Sequence, residues 1–300
     1  MRRAFTILAA LVLISGSVAA FGAGKMRMRW VTSIYSGPNG VGLKYPEGVA
    51  CGEDYLVVAD TGNSRLLRFS YEDDAATPEA EFPLPKSAPI MVQVNSKGEL
   101  YFLDGAERRI VGVSATGEPL GVLDPKGLPS SAEVVPKSFR IDHEDNVYIL
   151  DIFSAAVLVL DAGGNYLRHV SFPEEYGFFS DLAVDQQGTI LLLDSVEAVV
   201  YSALATADGF SPLTKSVKEY VNFPTGLSTD DEGVIYVVDQ YGSGLALIAA
   251  DGSFLGRRLG MGWNESGLYF PSQVCVNEDG VVFIADRNNS RVQVFTVGGD

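Results

Sequence analysis

Tyr45-Pro-Glu-Gly-Val-Ala-Cys51, then Leu56-Val-Val-Ala-Asp60-Thr-Gly-Asn63-Ser-Arg65-Leu-Leu-Arg-Phe69, is the stretch that decides the fold. An apolar run closes on an Asp, a small polar turn follows, and a second apolar run begins at an Arg. The order returns near the end as Phe270-Pro-Ser-Gln-Val-Cys-Val276, then Val281-Val-Phe-Ile-Ala-Asp286-Arg-Asn-Asn289-Ser-Arg291-Val-Gln-Val-Phe295. Working outward, the closing Asp recurs as Asp60, Asp104, Asp151, Asp194, Asp239 and Asp286, at intervals of 44, 47, 43, 45 and 47 residues. A period near 45 built of short strands predicts a β-propeller, in which each repeat is a four-stranded blade that buries its faces only against its neighbours. The Asp-closed runs, Leu100–Leu103 or Ile190–Leu193 for example, are apolar throughout, as a strand covered on both faces must be.

Within a repeat, strands a to d run from the channel outward. Strand a follows a Pro in most copies. The a–b turn starts with an Asx that can bond forward and has Gly fourth, as in Asn95-Ser-Lys-Gly98 and Asp230-Asp-Glu-Gly233. The third copy reads Asp142-His-Glu-Asp-Asn146, where Asn146 is expected to replace the Gly. The chain ends just after the sixth strand c. Trp30-Val-Thr-Ser-Ile-Tyr35 has strand composition and is expected to supply the missing outer strand of the last blade. The expectation is an all-β, six-bladed propeller forming one domain over residues 21–300.

These repeats resemble the NHL repeat, whose pattern is Pro-x-Gly-Val-Ala-Val, then Ile-Tyr-Val-Ala-Asp-x-x-Asn-x-Arg-Ile-x-Val-Phe. The resemblance covers nearly the whole chain and implies a bacterial exported NHL-repeat protein. Related six-bladed propellers include calcium lactonases and esterases, with carboxylate and Asn ligands at the channel, and lyases that hold a metal with several His. Some NHL propellers bind RNA through a basic face.

Composition limits these options. Basic Met1-Arg-Arg, the apolar run Ala4–Ile14 and small residues up to Ala20 read as a signal peptide over residues 1–20, placing the protein in the periplasm or outside the cell. The net charge of −16 becomes −18 once Arg2 and Arg3 leave with that segment, so a phosphate backbone is repelled and nucleic-acid binding is not expected. No membrane span is expected after leader removal. With two His in all, three-His metal binding is excluded. Two cysteines in an oxidising compartment permit a disulfide without demanding one. Cys51 and Cys275 fall on the innermost strands of neighbouring blades and point to opposite faces of them, either toward each other or apart. The frequency of Cys as a small buried hydrophobe favours two separate thiols.

The repeat residues Asp60, Asp104, Asp151, Asp194, Asp239 and Asp286, with Asn63, Arg65, Asn289 and Arg291, are assigned to blade structure. A feature present in every blade is better explained by building blades than by one active site. Departures from the repeat point to function. The strand-c Arg persists as Arg65, Arg109 and Arg291 but is replaced by Ala156, Val199 and Gly244 in blades three to five. The same face of the disc carries aromatic loops, from which Tyr176, Phe178, Tyr241, Trp263 and Tyr269 are the candidate binding residues. No catalytic residue and no cofactor is assigned. The expected function is an exported, non-catalytic binding or scaffold propeller for a protein or cell-envelope ligand, using the loop face of blades four to six. The alternative is a metal-dependent hydrolase or lyase at the channel mouth, with Glu47 and Asp181 as ligands to Ca²⁺.

Overall fold

The structure is a computed structural model that describes residues 26–129 and 133–298. The predicted signal segment, residues 1–20, lies outside the described residues. The repeats form six four-stranded antiparallel sheets. Blade 1 consists of Gly48–Cys51, Tyr55–Asp60, Arg65–Glu72 and Ala75–Pro83, and blades 2 to 5 repeat this order. Blade 6 takes strands a to c from Val274–Val276, Val281–Asp286 and Arg291–Gly298. Its outer strand is Arg27–Ile34, paired antiparallel from Arg27 opposite Gly298 to Ile34 opposite Val292. Blade 4 is the irregular one, since its outer strand shrinks to Ser211–Pro212.

The apolar side chains divide into six clusters, one at each seam between adjacent blades. Strand b explains the division. Leu56 and Val58 face the seam with blade 6, while Val57 and Ala59 face the seam with blade 2, and all four are fully buried. Side-chain alternation, which normally separates core from solvent, here separates one seam from the next. That is why strand b is apolar at every position.

Two turn types recur. In the a–b turns, Gly98, Gly188, Gly233 and Gly280 hold φ between 72° and 80°. In blade 3 the left-handed residue is Asp145 (φ 63°), not Asn146 as expected. The left-handed place is the fourth of the turn, which Asp145 occupies, and Asn146 in the fifth bonds to Asp142 through its backbone N–H and side-chain amide. The b–c turns share a device that no glycine signals. The residue before strand c is left-handed in every blade: Ser64, Arg108, Ala155, Ala198, Ser243 and Ser290, with φ of 48–53°. None is a Gly, so each carries a conformational cost that the surrounding turn offsets.

Cys51 and Cys275 form a disulfide, with a Cα–Cα distance of 6.1 Å, which corrects the expectation of two thiols. The opposite-face parity is right. Cys51 shares its face with Val49, and Cys275 lies opposite Phe283; both pack into the seam between blades 6 and 1. Burial of Cys as a hydrophobe and cross-linking are not alternatives when two such positions meet across one seam.

Three tyrosines brace the turns from below. Tyr148 donates to Asp142 at 3.0 Å, Tyr236 to Asp230 at 2.8 Å, and Tyr71 reaches Asp74 at 3.4 Å. Burial first, and then the adjacent carboxylate, pushes all three phenols above their usual range, Tyr71 to about 12. The folded state therefore holds these protons more tightly than the unfolded chain. Their contribution is complete below roughly pH 10, the unfolded value, and is lost as pH rises through the folded values. Spectrophotometric titration should show at least these three tyrosines ionising only above the main phenolic step, together with loss of thermal stability. Ionisation of all tyrosines in one step would show that these bonds do not hold.

Candidate functional site

The b–c turns and d–a loops share one face of the disc, and the repeat Asp residues organise it. All six are buried, at most 3% exposed. Each carboxylate accepts a backbone N–H from the incoming d–a loop: Lys44 for Asp60, Ala88 for Asp104, Val135 for Asp151. Gly177 and Phe178 serve Asp194, Asn222 and Phe223 serve Asp239, and Tyr269 serves Asp286. In blades 2 to 5 the same Asp also accepts N–H bonds from its own b–c turn, as Asp194 does from Val196 and Glu197. One carboxylate thus fastens two loops.

Blades 1 and 6 replace the turn N–H bonds by side chains. Arg65 Nε lies 2.7 Å from Asp60 and Arg291 Nε lies 2.8 Å from Asp286, with Asn63 and Asn289 each at 2.8 Å from the same carboxylate. Arg109, grouped with them by sequence, instead turns out to Glu107 at 2.7 Å. Blade 5 lacks a strand-c Arg yet receives one from strand d, with Arg257 Nη1 2.9 Å from Asp239. The signal for that substitution is Gly244, where a Cβ would stand 2.5 Å from the Arg257 guanidinium. Asp104→Ala is expected to lower stability by about 1–2 kcal/mol, by orphaning backbone donors. Asp286→Ala should cost about 3 kcal/mol, because it strands the buried Arg291 charge. Equal losses in denaturant titrations would remove the distinction.

At the centre, the a–b ladders of blades 2 to 5 skip one residue each: Ile90, Lys137, Ser180 and Thr225. These bulges turn the chain at the channel mouth. The next ring inward comprises Gly48, Met91, Ser138, Asp181, Gly226 and Gln273, and all are buried. Side chains therefore fill the axis below the mouth. Asp181 is the buried charge of this plug. It accepts from Ser138 Oγ (2.5 Å), Arg140 Nη2 (2.9 Å), Leu182 N (2.9 Å) and Leu227 N (3.0 Å), tying blades 3, 4 and 5 together. Glu47 belongs to a separate pair with Arg287, 2.9 Å away.

The two candidate metal ligands are thus not brought together as a centre. Asp181 has four donors on its two oxygens, and Glu47 has its own cation. Among the described residues no group of three or more His, Cys, Asp or Glu side chains is placed to hold a metal. Ca²⁺, which takes six to eight oxygens, does not suit this donor set.

The five candidate binding residues lie on the loop face, in three places. Tyr176 (42% exposed) stacks on Phe179 at 5.0 Å and meets Phe172 edge-on at 5.4 Å. Phe178 lies under the Lys137 ammonium at 5.5 Å. Tyr241, Tyr269 and Trp263 belong to one continuous aromatic row, Phe223–Tyr241–Phe270–Tyr269–Trp263, with centroid spacings of 5.3 to 5.8 Å. Trp263, at 72% exposed, ends the row. Sequence reasoning missed Tyr35, Tyr45, Phe153 and Tyr220, which add exposed rings to the same face. Tyr35 and Tyr45 were passed over because they sit outside the d–a loops of the later blades, Phe153 because it was weighed only as a turn residue, and Tyr220 was named among those loops but not chosen. The opposite face is different in kind. A funnel of about 840 Å³ opens there between the a–b turns, and its wall includes both half-cystines, Arg140 and His143. Among the described residues no helix is long and apolar enough to cross a membrane.

Comparison with known proteins agrees with this architecture. The NHL-repeat family profile matches residues 268–295, the sixth repeat. No curated protein sequence matches the chain. A gluconolactonase from Xanthomonas campestris superposes with a TM-score of 0.66 at 14% identity, covering 93% of each chain. Virginiamycin B lyase from Staphylococcus aureus superposes at 0.60 and 11% identity, covering 91% of this chain and 99% of its own. A streptogramin B lyase gives 0.61 at 12%, covering 91% and 98%. At such identities the likeness is one of fold.

Proposed function

Since this chain is an NHL-repeat β-propeller, we propose that it is an exported, non-catalytic binding or scaffold protein. Its loop face over blades four to six would take a protein or a cell-envelope ligand. The observation that carries this is the aromatic row, exposed at Tyr241 and Trp263, on a face whose six repeat Asp carboxylates are committed to holding loops. Exposed rings on an acidic protein are an aggregation hazard unless something covers them, and Tyr and Trp are the residues that dominate binding energies. The hydrolase or lyase alternative would need free acids, bases or ligand oxygens at the mouth. Asp181 and Glu47, its two candidates, are already paired.

The test is capture of partners from a native envelope fraction by immobilised protein. Trp263→Ala with Tyr176→Ala is expected to weaken binding by roughly 2 kcal/mol or more, the scale of an aromatic anchor pair. His143→Ala with Gln187→Ala, on the a–b turn face, should change nothing. The reverse pattern would place the binding face on the other side of the disc.

A further inference from the structure

The chain's two tryptophans, Trp30 and Trp263, line one cleft of about 550 Å³ at the rim of blade 6, together with Tyr35, Asn264, Glu265 and Arg291. From its geometry we infer that this cleft is a binding site for an uncharged oligosaccharide. The inference rests on the loop-face function proposed above and names the ligand class there.

First, the cleft is built. Arg291 is nearly fully buried at its back and holds both walls: Nη1 reaches Tyr35 Oη at 3.3 Å, and Nη2 bonds to the carbonyls of Asn264 (2.7 Å) and Gly267 (2.8 Å). Asn289 holds the Gly262 carbonyl at 2.9 Å, and Gln293 accepts the Ser266 N–H at 3.0 Å. The neck of the loop is so tight that a Cβ on Gly267 would meet the Gly262 Cα at 2.7 Å. Trp263 is therefore presented on a fixed loop. The conformational cost of holding a binding ring in place is met by the fold and not by the ligand.

Second, the groups left over select the ligand. The neck of the loop is bonded internally, with the Gly262 N–H on Leu268, the Gly267 N–H on Asn264 and the Ser266 N–H on Gln293. Among the described residues, the Trp263 indole N–H, the Glu265 carboxylate and the Ser266 hydroxyl make no hydrogen bond, and all three residues are exposed. Flat rings beside free side-chain donors and acceptors match a pyranose, which has an apolar face and a hydroxyl edge. The sign of the charge narrows the class. The Arg291 cation is paired with Asp286, leaving Glu265 as the free charge on a chain of net −16, so an anionic glycan is repelled.

Because both tryptophans line the cleft, intrinsic fluorescence reports on it directly. The intact protein is titrated with cellohexaose, chitohexaose, a galacturonic acid hexamer and a proline-rich decapeptide, with calorimetry for the variants. One neutral hexasaccharide should give a saturable change with a Kd of about 1 mM or tighter, and the acidic hexamer should bind at least about tenfold more weakly. Trp263→Ala and Tyr35→Phe are made separately. Trp263→Ala should weaken sugar binding about tenfold or more with an unchanged melting midpoint. Tyr35→Phe, which keeps the ring but loses the Arg291 bond that holds this wall, should also weaken binding, by less than Trp263→Ala.

Absence of binding by both neutral sugars overturns the inference, as does sugar binding that survives Trp263→Ala. Binding of the peptide alone, lost in Trp263→Ala, would overturn the sugar assignment and leave the loop-face function standing. Envelope capture abolished only by the His143 and Gln187 pair would overturn both.

Discussion

Removal of Arg27–Ile34 is expected to abolish the cooperative unfolding transition of the ring or to lower its midpoint by about 15 °C. The segment pairs with Arg291–Gly298 and inserts Ile34, 7% exposed, into the seam between blades 6 and 1. Trp30 and Met28 pack against the neighbouring cluster shared by blades 5 and 6. Burial of Ile34 alone contributes roughly 2 kcal/mol, and the partly buried residues add to it, so a total above about 5 kcal/mol follows. For a domain of this size each kcal/mol moves the midpoint by roughly 2–4 °C. Without the segment, strand c of blade 6 becomes an open edge, and the variant should also associate with itself. Thermal melts with light scattering check both effects. An unchanged midpoint in a monomeric variant would mean that the ring does not depend on this strand.

The second large effect is expected at the other tie across that seam. Cys51 and Cys275 are 224 residues apart, and their bond closes nearly the whole domain into a loop. Chain-entropy arithmetic for a loop of that length gives about 5 kcal/mol of stabilisation, acting through the unfolded state. The bond also lies in the wall of the turn-face funnel, within reach of a small reductant. Dithiothreitol, or Cys51→Ser with Cys275→Ser, should therefore lower the denaturant midpoint strongly while leaving the native circular dichroism intact. Identical midpoints for oxidised and reduced protein would refute this. The bond and the Arg27–Ile34 strand fasten one seam, so the combined variant should lose less or more than the sum of the two. Additive losses would show that they act independently.

How far the sequence carries can be seen residue by residue. The blades were legible because strand b must be apolar on both faces and each must end at an Asp; Leu56 to Asp60 shows that in five letters. The a–b turns were legible wherever Gly supplied the left-handed residue. They were misassigned where Asp145 did so, since Asn and Asp both enter the left-handed region and the neighbouring Asn146 was chosen in its place. The six left-handed residues before strand c were invisible because Ser, Arg and Ala carry no such preference. At the candidate site, the aromatic letters marked the face. Sequence did not show that Asp181 is fully bonded, that Glu47 is tied to Arg287, or that Arg257 replaces a missing strand-c Arg.

What the sequence by itself determined is whatever repeats: the number of blades, the strand order, and the structural standing of the six Asp residues, each set by a local pattern that recurs. What only the tertiary structure decided is whatever joins residues far apart in the chain. The Cys51–Cys275 bond, the plug around Asp181, and the cleft that Arg291 holds open between Tyr35 and Asn264 all bring together different blades or opposite ends of the chain. A repeat specifies its own strands through side-chain alternation and turn chemistry. Which side chains meet across a seam depends on the closure of the ring, and no single repeat contains that information.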